Sequence, residues 1–558
     1  MWPRRLNVLA IPEPYSQCEP MRTLRYLLLG CLSFLTATPA LCQIKITVDP
    51  SQTDHTIAPE IYGQFAEHLG GCIYGGLWVG PESNLPNVRG YRKDVLEALK
   101  QLKVPVLRWP GGCFADDYHW RDGIGQRDQR PRTLNIYWGG EETNAFGTHE
   151  FLDLCELLDC EAYVAGNVGS GTVEEMREWV EYMTSDSQSE LAQLRRKNGR
   201  EKPWRVKYFG VGNENWGCGG NMTAEYYSDL YRRYATYVRD FSGNRITKVA
   251  NGPSGRDLPF MKTLVGNAHE HADAFSMHYY VLPNSDWNVK GSALNFPESE
   301  WFSVMQQTYQ VKELIEDYIA ILDESDPDKR LDLYVDEWGT WYDPGTDTPS
   351  ALYQQNSIRD AVSAALFLHI FHEHADRITM GNIAQVVNVL QAMILTRDDE
   401  ILLTPTYHVF EMYKVHQGSS HIPLTFESPI YTCDSAEAPP LNPPSSFKAD
   451  AQPGKPWINS IDAVSASASL ATDGTITVSL VNTSPTDAYP VEITYAGNSL
   501  DHVNGRVLRS DRLDGHNTFD TPDAVQPRSI SNLKTVGNTV QFLLPPASVS
   551  TVSATHSK

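Results

Sequence analysis

Eight short apolar runs recur between residue 59 and about residue 405, at 61–66, 104–109, 162–166, 206–211, 246–250, 274–279, 331–335 and 377–383. They are rich in β-branched and aromatic residues and too short for helices, the pattern of strands buried on both faces. Between most of them, apolar positions return at helical spacing. Val95, Leu96, Leu99 and Leu102 mark one such face, and Phe151, Leu154, Leu157 and Leu158 another. Tyr226, Tyr227, Leu230, Tyr231, Tyr234 and Val238 mark a third, with Thr223 placed as an N-cap. Residues 304–322 and 358–371 are the longest helical stretches. This alternation predicts an α/β fold, a (β/α)8 barrel over residues 59–405. A doubly wound open sheet is the alternative, but no Gly-x-Gly-x-x-Gly turn follows an early strand.

After residue 405 the period changes from helical to two. Runs at 460–468, 475–482, 491–496, 539–544 and 549–552 are separated by turn residues, which predicts a jelly-roll-like β-sandwich over residues 406–558. Ile44-Lys45-Ile46-Thr47-Val48 alternates in the same way, so residues 43–58 are expected to lend that sandwich a strand. The Pro- and Ser-rich stretch 439–446 reads as a surface loop.

Composition and the first residues narrow the class. Acidic residues number 69 against 46 basic ones, a formal charge of -23, which argues against nucleic acid or an anionic membrane surface as partner. A basic stretch from Met21 to Arg25, an apolar run at 26–35 and small residues to 42 resemble a signal peptide. Residues 1–42 are therefore expected to direct export, to periplasm or medium, with Met21 a candidate start. The apolar run is too short to span a membrane, so no insertion of the mature chain is expected. Six of the nine cysteines lie beyond residue 42, with no spacing typical of a disulfide framework or a zinc site.

Two of the apolar runs end in a glutamate beside a tryptophan. Tyr208-Phe209-Gly210-Val211 leads into Gly212-Asn213-Glu214-Asn215-Trp216, and Leu333-Tyr334-Val335 into Asp336-Glu337-Trp338. A carboxylate at the end of a buried strand is costly unless its surroundings are prepared for it. In a barrel, the C-terminal strand ends form the active face. Glu67, Arg108, Asn167, Glu214, Tyr280, Glu337 and Gln385 all fall at or just past such ends. Cleaving a glycosidic bond takes one protonated and one ionised carboxyl group, which Glu214 and Glu337 could supply. Arg108 and Tyr280 are candidate donors to the ionised partner, and Asn213 a candidate contact to a sugar hydroxyl.

These motifs resemble the clan A glycoside hydrolases. Tyr62-Gly63-Gln64-Phe65-Ala66-Glu67-His68, Arg108-Trp109-Pro110-Gly111-Gly112, His278-Tyr279-Tyr280 and Asn382-Ile383-Ala384-Gln385 narrow the resemblance to the α-L-arabinofuranosidases of glycoside hydrolase family fifty-one. The resemblance implies an exo-acting retaining enzyme releasing terminal arabinofuranose from arabinan, arabinoxylan or their oligosaccharides. It makes Glu214 the acid/base and Glu337 the nucleophile, with Arg108 and His278 supporting the latter. Glu67, Cys113, Asn213, Tyr280 and Gln385 would hold the furanose ring, and Trp138 and Trp341 would line the leaving-group side. Neither metal nor organic cofactor is expected, and relatives suggest a homo-oligomer. Two rivals stand beside this reading: another clan A activity, such as an endo-glucanase or xylosidase, and a carbohydrate-binding protein without turnover.

Overall fold

The computed structural model describes residues 43–284, 286–345, 348–434 and 459–557. The proposed signal segment and the stretch 439–446 lie outside the described residues. All eight apolar runs form strands: β1 (Gly63–Phe65), β2 (Val106–Trp109), β3 (Glu161–Gly166), β4 (Tyr208–Val211), β5 (Thr247–Ala250), β6 (Ala274–Val281), β7 (Asp332–Thr340) and β8 (Ile378–Ala384). Each pairs in parallel with the next, and β8 pairs with β1 to close the barrel. The predicted barrel is thus the observed one.

Its interior is filled. Tyr163, Tyr208 and Tyr334 pack there with Val106, Val249 and Met380 in a cluster of their own. Layers of this kind make a barrel a packed core with chemistry only at its rim. The Tyr163 hydroxyl tops this layer and donates to Asp336 Oδ2 at 2.7 Å, so the hydrophobic floor also orients a charged group of the rim.

The C-terminal region forms two large sheets beside a short ladder of Ile430–Thr432 with Ser460–Asp462. One has six strands, ordered Ser420–Ile422, Val464–Leu470, Ile476–Asn482, Ser548–His556, Leu500–Arg509 and Arg528–Ser529. The other has four: Ile44–Val48, Tyr489–Tyr495, Thr539–Leu544 and Lys534–Val536. Ile44, Ile46 and Val48 are buried while Lys45 and Thr47 face solvent, and this strand lies parallel to Tyr489–Tyr495.

A row of histidines joins barrel and sheet. Helix Ile358–Glu373 is buried on every side, because barrel and sandwich cover opposite faces. Val464–Leu470 presents Ser465, Ser467 and Ser469 on one face at the strand period of two. Their hydroxyls meet Nδ1 of His369, His372 and His416 at 2.8, 2.9 and 2.7 Å. No cation or carboxylate enters these contacts, and burial drives His369 and His416 down to about 3.

Candidate active site

The nucleophile candidate owes its direction to an irregularity in β7. Against β6 the register steps from Met277↔Val335 to His278↔Glu337, and against β8 it slips between Val335 and Trp338. Asp336 is the extra residue of a bulge. In a regular strand neighbours point to opposite faces; the bulge lets Asp336 and Glu337 both reach groups inside the barrel. Trp338 turns outward and packs on Phe367 and Phe371 of the covering helix. β7 therefore runs on through Glu337 to Thr340, where the sequence suggested an ending at Val335. On β6, His278 and Tyr280 share the inward face two residues apart.

Glu214 instead stands on a tight loop after β4. Gly212 has φ +97°, and a Cβ there would collide with the Asn215 side chain, so glycine is required. Glu214 itself has φ +39°, a left-handed conformation that costs a non-glycine residue energy. Asn213 is fully buried and accepts a short hydrogen bond from Arg108 Nη2 at its Oδ1.

These elements bring the two glutamates together around His278. One carboxylate oxygen of Glu214, one of Glu337 and one nitrogen of His278 all lie within 4.8 Å of one another. Glu337 Oε1 accepts from Arg108 Nη1 and Oε2 from the Tyr280 hydroxyl, both at 2.9 Å. Gly112 gives this carboxylate room, since a Cβ there would stand 3.1 Å from Glu337 Oε1. His278 Nδ1 lies 2.8 Å from Glu214 Oε1, and its Nε2 is 3.2 Å from Asp336 Oδ1.

The charges follow from these contacts. Burial acts to lower the His278 pKa, but the charge of Glu337 and the bonds to Asp336 and Glu214 outweigh it and push it up to about 10. Burial would raise Asp336, and the charges and bonds of Arg108, His278 and Tyr163 hold it below the usual carboxylate range. Glu214 is raised by burial, with help from the Glu337 charge and against the pull of His278. Two basic groups, Arg108 and His278, thus stand among the carboxyl groups of Glu214, Asp336 and Glu337.

Above it opens a cavity of about 620 Å³ lined by Glu67, Cys113, Trp138, Tyr280, Trp341 and Gln385 together with Glu214 and Glu337. Glu67 Oε1 accepts from Trp138 Nε1 at 2.8 Å and Oε2 from Gln385 Nε2 at 2.9 Å. Burial, then the Glu337 charge, raises Glu67 to about 7. Trp341 stands edge-on to Tyr280 at 5.1 Å, and Trp287 edge-on to Trp341 at 5.3 Å. Arg108, Asn213 and His278 lie beneath the lining and brace it.

Apart from Asn167, the residues singled out in the sequence for this site fall in one place, with one change of chemistry. Cys113 is joined to Cys218 in a disulfide, so it offers no thiol proton to a sugar. The partner is 105 residues away, and no local spacing betrays it. Sequence reasoning gave no role to Asp336 and Trp216, named there only as neighbours of the glutamates, and passed over Trp287 and the buried Asp116 that accepts from the backbone of Asn213 at 2.8 Å. Asn167, placed at the end of β3, bonds Ser170 and Tyr118 and lines no part of the cavity.

A closed parallel barrel with a paired glutamate cluster at the C-terminal ends of its strands defines a glycoside hydrolase. Comparison with known proteins gives the particular family. Residues 98–300 match the model of the α-L-arabinofuranosidase 1 domain, and 336–548 that of the α-L-arabinofuranosidase C-terminal domain. An intracellular exo-α-L-arabinofuranosidase of Bacteroides ovatus is 48% identical over 94% of this chain and 99% of its own length. The crystal structure of the family fifty-one arabinofuranosidase of Xanthomonas axonopodis pv. citri has a TM-score of 0.85 at 44% identity, covering 92% of this chain and 99% of the other. An arabinose complex of the Thermotoga maritima α-L-arabinofuranosidase has a TM-score of 0.77 at 31% identity, over 91% of this chain and 99% of that one. The chain belongs to the α-L-arabinofuranosidases of glycoside hydrolase family fifty-one. It is an exo-α-L-arabinofuranosidase, which removes both rival readings. The expectation of export is corrected by the same comparison, because the Bacteroides ovatus enzyme is named as intracellular. Among the described residues no helix is long and apolar enough to cross a membrane.

Proposed function

We propose that the enzyme releases terminal arabinofuranose by double displacement, with Glu214 as acid/base and Glu337 as nucleophile. The observation that carries this reading is the close pair of carboxylates sharing His278 beneath the cavity. Retaining enzymes hold their carboxyl groups about 5 to 5.5 Å apart, whereas inverting ones leave about 6.5 to 9.5 Å for a water. Oxygens within 4.8 Å support the former.

Glu337 is aimed by Arg108 and Tyr280 and attacks the anomeric carbon while Glu214 protonates the departing oxygen. Forming the glycosyl ester removes the Glu337 charge, which is one of the causes holding Glu214 up. Glu214 then falls in pKa and becomes the base that activates water. Glu67, Asn213 and Gln385 are the groups to meet ring hydroxyls. Asn213 Nδ2 and Gln385 Oε1 are buried polar atoms without a protein partner, which supports that role. Trp138, Trp341 and Trp287 offer aromatic faces to the leaving group, in arabinan, arabinoxylan or oligosaccharides derived from them. Family resemblance supports a homo-oligomer, which light scattering tests.

The experiment is the initial hydrolysis rate of aryl α-L-arabinofuranoside and matching pyranosides by wild type and Glu337→Ala. Selective furanoside turnover, lost in the variant by about 10³-fold or more, is expected. Near wild-type turnover in Glu337→Ala would remove the nucleophile assignment.

A further inference from the structure

Asp116 lies on the short turn Cys113–Asp117 that follows Gly112, and it is 2% exposed. It takes part in no ion pair among the described residues. Its carboxylate instead gathers four N–H donors from two loops. Oδ1 accepts from the backbone of Val168 at 2.7 Å and Gly169 at 2.9 Å, in the loop after β3. Oδ2 accepts from the backbone of Asn213 at 2.8 Å and from Asn215 Nδ2 at 3.3 Å, in the loop after β4. Its own carbonyl accepts from Ser170 at 2.9 Å. Burial pushes the Asp116 carboxyl up to about 7, and the four N–H donors pull the other way, because a carboxylate accepts at both oxygens without offering a proton.

The last two donors belong to the residues on either side of Glu214. Between them the chain takes the left-handed turn at Glu214, φ +39°, which needs support from outside. Gly219 closes the clamp, since a Cβ there would collide with Asp116 Oδ2 and the Asn213 carbonyl. The Cys113–Cys218 disulfide ties the same turn to the same loop, so covalent and hydrogen-bonded links converge on the segment that carries the acid/base.

We infer that Asp116 is a positioning residue for Glu214: by fixing Asn213 and Asn215 it holds the Glu214 carboxyl where the leaving oxygen is protonated. The inference rests on the assignment of Glu214 proposed above. A brace that serves stability alone would lower all activities together. A brace for the acid lowers activity in proportion to how much the leaving group needs a proton.

The test is Asp116→Asn, which keeps the shape but turns an amide toward N–H donors. kcat/KM is measured on α-L-arabinofuranosides whose leaving groups run from nitrophenolate to an unactivated alkyl alcohol, beside Glu214→Gln. For the nitrophenyl substrate kcat/KM should stay within about threefold of wild type, and for the alkyl substrate it should fall about 10²-fold. Azide, which needs no general base, should raise turnover of the nitrophenyl substrate in the variant. Equal loss across the series, or no loss, overturns the inference if Glu214→Gln shows the steep dependence. A flat series in Glu214→Gln instead overturns the assignment of Glu214. If Asp116→Asn does not fold, Asn215→Ala opens one side of the clamp; a wild-type series from it overturns the inference, and a steeper one supports it.

Discussion

Replacing His416 with glutamine should make the protein relatively more stable as the solution is acidified. His416 is fully buried between Ser469 and Ser479, whose hydroxyls lie 2.7 and 2.6 Å from its two ring nitrogens. Glutamine supplies a donor group, its NH2, and an acceptor oxygen, where a neutral imidazole supplies one donor and one acceptor nitrogen, but it takes up no proton. Burial, with the nearby His421 adding to it, lowers His416 from its ordinary 6.5 to about 3. A lowered folded pKa contributes stability that is fully present above 6.5 and is lost as pH falls toward 3. At pH 4.5, two units below the ordinary value, this amounts to about 3 kcal/mol. The variant escapes that loss, while His369 and His372 titrate in both proteins and cancel from the difference. Whatever His416→Gln costs in packing at pH 7.5, its stability relative to wild type should improve by about 3 kcal/mol at pH 4.5. Urea unfolding followed by circular dichroism at pH 7.5, 6.5, 5.5 and 4.5 gives the difference directly. A difference constant to within about 0.5 kcal/mol would refute the reasoning, because His416 would then protonate as freely in the fold as outside it.

Gly112→Ala places a Cβ 3.1 Å from Glu337 Oε1 and 3.5 Å from Glu67, and should lower kcat by about 10²-fold with little change in Tm. Unchanged kcat would mean that Glu337 has slack. Glu67 is 2% exposed, and its pKa is raised from 4.5 to about 7, so the stability tied to its protonation is full below 4.5 and lost as pH rises through 7. Glu67→Gln should therefore gain about 3 kcal/mol over wild type between pH 4.5 and pH 8, read by urea unfolding at both values. Reduction of Cys113–Cys218, which closes a loop of 105 residues, should remove about 2 to 4 kcal/mol and lower Tm in dithiothreitol. The same Tm with and without reductant, in protein whose thiols have been counted, would refute that.

The barrel was legible because its strands are apolar on both faces, and such runs stand out against amphipathic helices. Glu214 and Glu337 were legible because a charge at the end of a buried run is out of place. The bulge at Asp336 was not, since no residue there has a special conformational preference; only pairing with β6 and β8 reveals it. Asp116 sits in an irregular turn without periodicity, and its meaning depends on loops that follow strands far away in sequence. The strand Leu500–Arg509 escaped notice because only three of its ten residues are buried. The histidine–serine row was visible only in halves: Val464–Leu470 alternates plainly, but nothing in its sequence names the imidazoles it meets.

The central claim is a double displacement by Glu214 and Glu337, and the most direct test is the configuration of the first arabinose released. Proton NMR during the first turnovers of an α-L-arabinofuranoside should show the α-anomer first, with the β-anomer growing in later by mutarotation. The β-anomer appearing first would contradict the account, because it would mean a single displacement by water and leave Glu337 with no covalent role.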